Sequence, residues 1–212
     1  MTGSAAVLQA QGLCFGYPQL PLFQGWSATV PPGVTWVKGG DGAGKTTLLR
    51  LLAGEQLAKA GQLQLGGVTV PANAPLPAHY QQHVFWVDPR NDGSDERTPD
   101  ECFALIAQRH PHFDMGLIDD LMEGLALAPH RSKRLFMLST GSRRKVWLAA
   151  AFASGAALTL LDDPFAALDK PSIGFVTDLL QEASGHATRA WVVTGYDAPP
   201  GVPLAATLDL DA

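Results

Sequence analysis

Apolar and polar residues alternate along much of the N-terminal third of the chain, as they do in half-buried β-strands. Residues 7–15, 26–30 and 33–38 are predicted strands, and the second of these stops at two prolines. Residues 61–70 alternate on both sides of Gly66-Gly67, a pair that favours a two-residue hairpin turn. The pattern therefore predicts a chain that begins with several short strands.

Helical spacing replaces this alternation in two places. Leucines at helical intervals follow residue 45 and stop at Gly54, where a glycine commonly closes a helix. Between residues 99 and 127 the spacing is helical again, in two segments that predict a helical insert between two runs of strands. The apolar positions are Phe103, Leu105 and Ile106 in the first segment, and Leu117, Ile118, Leu121, Met122 and Leu125 in the second.

Further strands are predicted at residues 83–88, 158–161 and 189–194, which are runs of mostly apolar, branched and aromatic residues. Residues 89–98 are rich in charged residues and turn formers, and they are predicted to form a polar loop. The longest apolar stretch, residues 146–161, is interrupted by a Ser-Gly pair and is too short for a membrane span. We interpret it as a helix followed by a strand.

The composition of the 212 residues is that of a globular protein, with 46% hydrophobic and 17% charged residues. A net charge of −5 argues against a nucleic-acid partner, because such proteins usually present a basic face. Cys14 and Cys102 match no metal-binding spacing and are expected to be reduced thiols. The N-terminus shows no secretion signal. We expect a soluble protein that reaches a membrane only through a partner.

The strongest chemical signal is the stretch Gly39-Gly40-Asp41-Gly42-Ala43-Gly44-Lys45-Thr46-Thr47, which fits the phosphate-loop pattern of Gly, four residues, Gly-Lys-Ser/Thr. Its glycines let polyphosphate oxygens approach backbone N–H groups, and the helix that follows favours an anion at its N-terminus. Lys45 is expected at the β- and γ-phosphates of ATP, and the Thr46 hydroxyl on Mg²⁺. The alternative, a glycine-rich turn without a ligand, is weakened by the strand before the stretch and the helix after it.

Two carboxylates follow the predicted strand at residues 158–161. Asp162 is suited to hold Mg²⁺ with Thr46, directly or through water, and Asp163 could act on the attacking water. Ligands of open α/β sheets bind at the carboxyl ends of the strands, which is where these acids lie. A strand followed by an ordinary helix N-cap is the alternative. A phosphate loop in the same chain favours metal binding.

Between these two sites lies the pentapeptide Leu138-Ser139-Thr140-Gly141-Ser142, followed by an apolar helix. The order and separation of phosphate loop, helical insert, pentapeptide and acidic strand resemble the ATP-binding subunit of an ATP-binding cassette (ABC) transporter, over nearly the whole chain. The resemblance implies one α/β domain over residues 1–212, with a P-loop NTPase core of mostly parallel sheet flanked by helices, and an N-terminal antiparallel β subdomain. It also implies a helical subdomain inserted at about residues 99–142, between core segments 1–98 and 143–212.

In that family two subunits bind head to tail around ATP, which implies that this chain pairs with itself or with a homologous subunit. Ser139 and the Gly141 amide would then donate to the γ-phosphate held by the other subunit, although Ser139 also suits an ordinary helix cap. Tyr17 matches the aromatic residue that stacks on adenine, with Phe15 as its rival. Residues 166–169 match a loop that contacts the other subunit. The helical subdomain would face a separate transmembrane subunit, which implies a cytoplasmic location at the inner face of the cell membrane.

Three positions depart from the family pattern on the catalytic side. Asp163 stands where the family has a longer Glu, Asp88 where it has Gln, and Gly195, followed by Tyr196, where it has His. The predicted catalytic residues are Lys45, Asp88 and Asp163. Because the residues that hold ATP are intact, binding is better supported than turnover, and we expect an ATPase of low activity.

Two other functions fit parts of the sequence. A regulatory or assembly module of the same family would bind ATP and hydrolyse it slowly or not at all. Soluble ABC proteins of DNA repair or translation usually carry coiled-coil insertions or two cassettes, and neither is visible here. A basic cluster could suggest a nucleic-acid or lipid surface, but we interpret it as a solvated face beside a phosphate site. Its members are Arg131, Lys133, Arg134, Arg143, Arg144 and Lys145.

Overall fold

The computed structural model describes residues 6–88 and 94–211. Outside the described residues lie residues 1–5, where the sequence predicts no secretion signal, and residues 89–93, which are part of the predicted polar loop. In chain order the elements are β1 (Leu8–Tyr17), β2 (Leu20–Val30), β3 (Gly33–Lys38), α1 (Lys45–Ala53), β4 (Ala60–Leu65), β5 (Val68–Pro71), α2 (Ala78–Gln81), β6 (Val84–Phe85), α3 (Pro99–Arg109), α4 (Ile118–Gly124), α5 (Thr140–Ala153), β7 (Leu158–Asp162), α6 (Lys170–Ser184), β8 (Ala190–Thr194) and β9 (Leu204–Asp209).

The N-terminal strands form a four-stranded antiparallel sheet in the order β2-β1-β4-β5. The predicted hairpin at Gly66-Gly67 is confirmed, because Leu65 pairs with Val68 across the turn. The prediction for β2 was too short. This strand already begins at Leu20, and it accommodates Pro21 because it lies at the edge of the sheet, where a missing N–H breaks no ladder.

The second sheet is parallel, in the order β6-β7-β8-β3-β9. In register, Asp162 of β7 lies beside Thr194 of β8, which lies beside Val37 of β3. The carboxyl ends of three central strands therefore meet at one edge, next to the phosphate loop. The prediction of a strand over residues 83–88 was too long, because only Val84 and Phe85 pair with β7.

Two apolar clusters cover the two faces of the parallel sheet. One joins α1 and the antiparallel sheet to residues such as Val37 and Val192. The other joins α3, α4, α5 and α6 to the opposite face, through residues such as Leu161 and Val193. An α/β architecture with an antiparallel sheet, a parallel sheet and flanking helices is thus confirmed.

The helical region predicted at residues 99–127 contains α3 and α4. A capping box between Thr98 and Glu101 starts α3, with Pro99 at its first position. Because α3 and α4 pack into the same cluster as α5, the subdomain boundary at residue 142 stays a prediction. Within residues 6–88 and 94–211, no helix combines the length and apolar character needed to cross a membrane.

Candidate nucleotide-binding site

The phosphate loop joins the end of β3 to the start of α1. Gly44 immediately precedes α1 with φ of 98°, a left-handed conformation that a residue with a Cβ rarely adopts. No side chain caps this helix, so its first amides stay available to a ligand. Lys45 folds over the loop, and its Nζ donates to the carbonyls of Gly39 at 2.6 Å and Gly40 at 2.9 Å. The loop therefore presents backbone donors and an ammonium group at one place.

Hydroxyl groups hold the acidic end of β7. Thr46 donates to one oxygen of Asp162 at 2.8 Å, and Thr194 donates to the other at 2.7 Å. Sequence reasoning missed Thr194, although a hydroxyl residue that ends a strand, one position before Gly195, was a usable signal. The arrangement brings the predicted metal ligands Thr46 and Asp162 into direct contact.

Asp163 follows with an exposed side chain and an unusual backbone conformation, at φ of 48°. Its N–H donates to Thr194 Oγ1 at 3.1 Å. Its carbonyl accepts from the Arg144 guanidinium and from the Ala166 N–H, the latter at 3.1 Å. The peptide groups on both sides of Asp163 are thus held by neighbouring elements.

These residues surround one open cleft of about 700 Å³. The phosphate loop, Tyr17, the two aspartates and the end of β8 all border it. Between the rivals for an adenine contact, Tyr17 is 41% exposed, whereas Phe15 is buried beneath it with its ring edge-on at 5.2 Å. The Tyr17 hydroxyl lies 3.3 Å from Thr47 Oγ1. Of these two rivals, Tyr17 is therefore the one that borders the cleft.

Asp88 does not border the cleft, which corrects the expectation of an acid beside the triphosphate. Its carboxylate forms an ion pair with Arg50 of α1, and its side chain is only 13% exposed. The hydrogen bond to Asp88 raises the pKa of Arg50. Asp88 borders a separate cavity beside α3, together with Trp86 and Arg109. The strand at residues 84–85 ends before Asp88, which pairs with Arg50 and does not border the nucleotide cleft.

The pentapeptide starts α5, and its first polar residue makes an ordinary helix cap. Ser139 Oγ accepts from the Ser142 N–H at 3.1 Å. A Cβ on Gly141 would lie 2.4 Å from the Ala167 carbonyl oxygen, so only glycine fits at this close approach. Neither Ser139 nor Gly141 lines the cleft of its own chain, whereas Thr140 between them does.

The loop at residues 166–169 is tied to α5 by a partly buried ion pair. Lys145 Nζ lies 2.5 Å from Asp169 Oδ2, and the Lys145 side chain is 8% exposed. Asp169 also caps α6 by accepting from the Ser172 N–H at 2.9 Å. The hydrogen bond from Lys145 holds the pKa of Asp169 well below its usual range. The loop is therefore fixed relative to the pentapeptide helix.

The chain resembles known proteins over most of its length. A family model described as ABC transporter matches residues 23–166. A cytochrome c biogenesis ATP-binding export protein, CcmA, of Nitrosococcus oceani is 35% identical over 208 residues, which cover 97% of this chain and 92% of that protein. The protein of the same name from Hyphomonas neptunium is 32% identical and covers 98% of each chain.

Solved structures share the fold. A putative ABC transporter ATP-binding protein from Pyrococcus furiosus has a TM-score of 0.76 and 21% identity, with 96% of this chain and 97% of that chain covered. Three findings point to the same family: the family match over residues 23–166, the relatives that cover nearly the whole chain, and the cleft beside the phosphate loop. The chain therefore belongs to the ABC transporter family, as one of its ATP-binding, ATP-hydrolysing subunits.

Proposed function

We propose that this protein powers an export system of cytochrome c biogenesis, by binding Mg-ATP in the cleft and acting on a separate membrane subunit. The relatives named above support the export role, because they carry that name and match nearly the whole chain. The observation that carries the proposal is the convergence of Lys45, Thr46, Asp162 and Asp163 on one cleft.

The triphosphate of ATP lies along the amides of residues 39–47, which form a loop with an uncapped helix N-terminus. Lys45 then exchanges its contacts with the loop carbonyls for contacts with the β- and γ-phosphates. Tyr17 stacks on the adenine, because its ring is the exposed aromatic group of β1 at the cleft.

Thr46 and Asp162 fit a magnesium ion, because they supply a hydroxyl and a carboxylate oxygen that already lie 2.8 Å apart. Within the described ranges, no three His, Cys, Asp or Glu side chains form a metal cage. Mg²⁺ is usually held by one or two carboxylates together with substrate phosphates, so a single Asp is sufficient. When bound, the ion would neutralise negative charge on the phosphates.

Asp163 orients the attacking water, and turnover is slow. The Asp163 side chain is one methylene shorter than the Glu of the family pattern. Gly195 offers no side chain where that pattern has His. Tyr196 borders the cleft but is 90% exposed, so little packing holds its ring there. These three features favour, as a second candidate, a regulatory or assembly module in which ATP binding matters more than hydrolysis.

ATP joins two subunits head to tail, either two copies or this chain and a homologue. Ser139 and the Gly141 amide donate to the γ-phosphate bound by the other subunit, at the N-terminus of α5. Next to them, Phe136 is 53% exposed and Met137 is 59% exposed, which is the apolar surface expected at an interface. Asp162 and Asp163 repel a second acidic subunit until Mg-ATP is bound.

The membrane subunit, rather than a nucleic acid, is the other partner, and it holds the protein at the inner face of the cell membrane. The net charge of −5 supports this choice, and so does the pairing of the basic cluster with acids. The pairs are Arg131 with Asp100 and Asp119, Arg134 with Glu96, Arg143 with Asp95, and Lys145 with Asp169.

Complementation tests the export role. Cells that lack the gene should lose covalently haem-bearing c-type cytochromes, as seen by peroxidase staining. Wild-type protein should restore them, and so should Lys59→Ala, because Lys59 is exposed outside the cleft. Lys45→Ala should not restore them, because Lys45 lines the cleft. Full cytochrome c content in the deleted strain would refute the export role and leave ATP binding as a separate question.

Light scattering tests the dimer. Mg-ATP should double the mass of the wild type and of Gly174→Arg, because Gly174 is an exposed position with open space around it. Ser139→Arg should stay monomeric, since its side chain blocks the approach of the other nucleotide. Dimerisation of Ser139→Arg at wild-type ATP concentrations would contradict the role of the pentapeptide in the partner's site.

A further inference from the structure

Arg144 connects the pentapeptide helix to the acidic end of β7 in the same chain. It lies in the second turn of α5, and its guanidinium donates to the carbonyl of Asp163 and, at 3.5 Å, to that of Asp162. Arg144 also borders the nucleotide cleft. A positive charge from α5 therefore lies against the two peptide groups that precede and follow the Asp163 Cα.

Asp163 needs such support because of its backbone conformation. A non-glycine residue with φ of 48° persists only where its surroundings hold it. Thr194 holds the N–H of Asp163 from β8, and Arg144 holds the carbonyl from α5. These contacts set the direction of the Cα–Cβ bond, and hence the place that the short Asp163 carboxylate can reach.

The neighbouring arginine behaves differently. Arg143 forms an ion pair with Asp95, away from the cleft. In the described part of the chain, Arg144 has no carboxylate within ion-pair distance, and its Nε is buried without a hydrogen-bond partner. The guanidinium of Arg144 therefore contacts two backbone carbonyls beside Asp163 instead of forming an ion pair at the surface.

We propose that Arg144 is a positioning residue for hydrolysis, which fixes the Asp163 backbone so that its carboxylate reaches the attacking water. The inference rests on the proposed role of Asp163. Both bonds come from one guanidinium nitrogen, Nη1, so a lysine ammonium with its several donors can make part of the contact. The effect of Arg144 on turnover is exerted only through Asp163.

Single-turnover hydrolysis of radiolabelled ATP, together with isothermal titration, tests the proposal on the full chain. Arg144→Met should slow the chemical step about 10- to 100-fold, as expected when a reacting group moves by about 1 Å, and should change the Kd for ATP less than about twofold. Arg144→Lys should recover part of the rate. Arg143→Met is the matched control and should keep the wild-type rate.

A double-mutant cycle separates the inference from the proposed function. If Arg144 acts through Asp163, the variant Arg144→Met/Asp163→Asn should be no slower than Asp163→Asn alone. Wild-type turnover by Asp163→Asn would refute the role of Asp163 itself. A slow Asp163→Asn beside an unimpaired Arg144→Met would refute only the positioning role.

The inference would also be overturned if Arg144→Met lost much of its ATP affinity but hydrolysed bound ATP at the wild-type rate. Arg144 would then be a phosphate ligand. Circular dichroism checks that each variant is folded. If Arg144→Met does not fold, Arg144→Lys decides the question. An intermediate rate at unchanged Kd supports positioning, and a wild-type rate opposes it.

Discussion

Thr194 donates its hydroxyl hydrogen to Asp162 at 2.7 Å, so the last residue of β8 holds the carboxylate that ends β7. Thr194→Val keeps the side-chain shape and removes this bond. Mg-ATP binding should weaken by about 1–3 kcal/mol, the cost of leaving a partner unsatisfied. Thr159→Val is the control, because the buried Thr159 hydroxyl has no partner among the described residues. Equal Mg-ATP affinities of the two variants in isothermal titration would contradict this role.

The C-terminal segment after β9 should tune the phosphate loop. Asp211 accepts the Gly40 N–H at 2.8 Å, which ties the loop down but adds a negative charge near the triphosphate. Asp211→Asn keeps an acceptor without the charge and should bind ATP at least as tightly as the wild type. Asp211→Ala loses both and should bind more weakly than Asp211→Asn. Identical affinities of these two variants would show that the contact does not matter.

The ion pair between Lys145 and Asp169 should make stability depend on pH in the acid range. The pKa of Asp169 is lowered from 3.8 in the folded protein, mainly by the Lys145 hydrogen bond. Its stabilising contribution is therefore present above pH 3.8 and is lost as the pH falls through the lower folded value. Urea denaturation should find Lys145→Met less stable than the wild type at pH 7, with a gap that narrows below pH 4. A gap that stays constant with pH would contradict the assignment.

Turnover should improve when the catalytic side is restored to the family pattern. Asp163→Glu lengthens the side chain that faces the water, so kcat should rise with little change in ATP affinity. Gly195→His should add less by itself, because a Cβ at this position lies 3.2 Å from the Asp197 carbonyl oxygen and the loop must shift. Steady-state assays at saturating ATP compare the single and double variants. An Asp163→Glu variant slower than the wild type would show that the short acid is already compensated.

Local pattern was sufficient to predict the phosphate loop and the acidic strand. Residues 39–47 were predicted from the spacing of their glycines, and Asp162 was predicted from an apolar run that ends in a carboxylate. Each signal is contained in fewer than ten consecutive residues. The strands at residues 33–38 and 190–194 were found for the same reason. Such features need no knowledge of distant neighbours.

Contacts between distant elements were beyond sequence reasoning. The ion pair of Asp88 joins it to Arg50, 38 positions earlier in the chain. The roles of Thr194 and Arg144 appear only when β7, β8 and α5 are assembled. Strand β9 was not predicted from the sequence, and in the structure it pairs with β3 at the edge of the parallel sheet.

The central claim is that residues 39–47 bind the phosphates of ATP, and isothermal titration with Mg-ATP tests it most directly. Lys45→Ala removes a charged contact to the β- and γ-phosphates, which should cost more than about 1.5 kcal/mol, or more than about tenfold in Kd. Lys59→Ala, an exposed lysine outside the cleft, should bind like the wild type. We predict that the wild type and Lys59→Ala bind Mg-ATP tightly and that Lys45→Ala binds it at least tenfold more weakly. Equal affinity in all three proteins would contradict it.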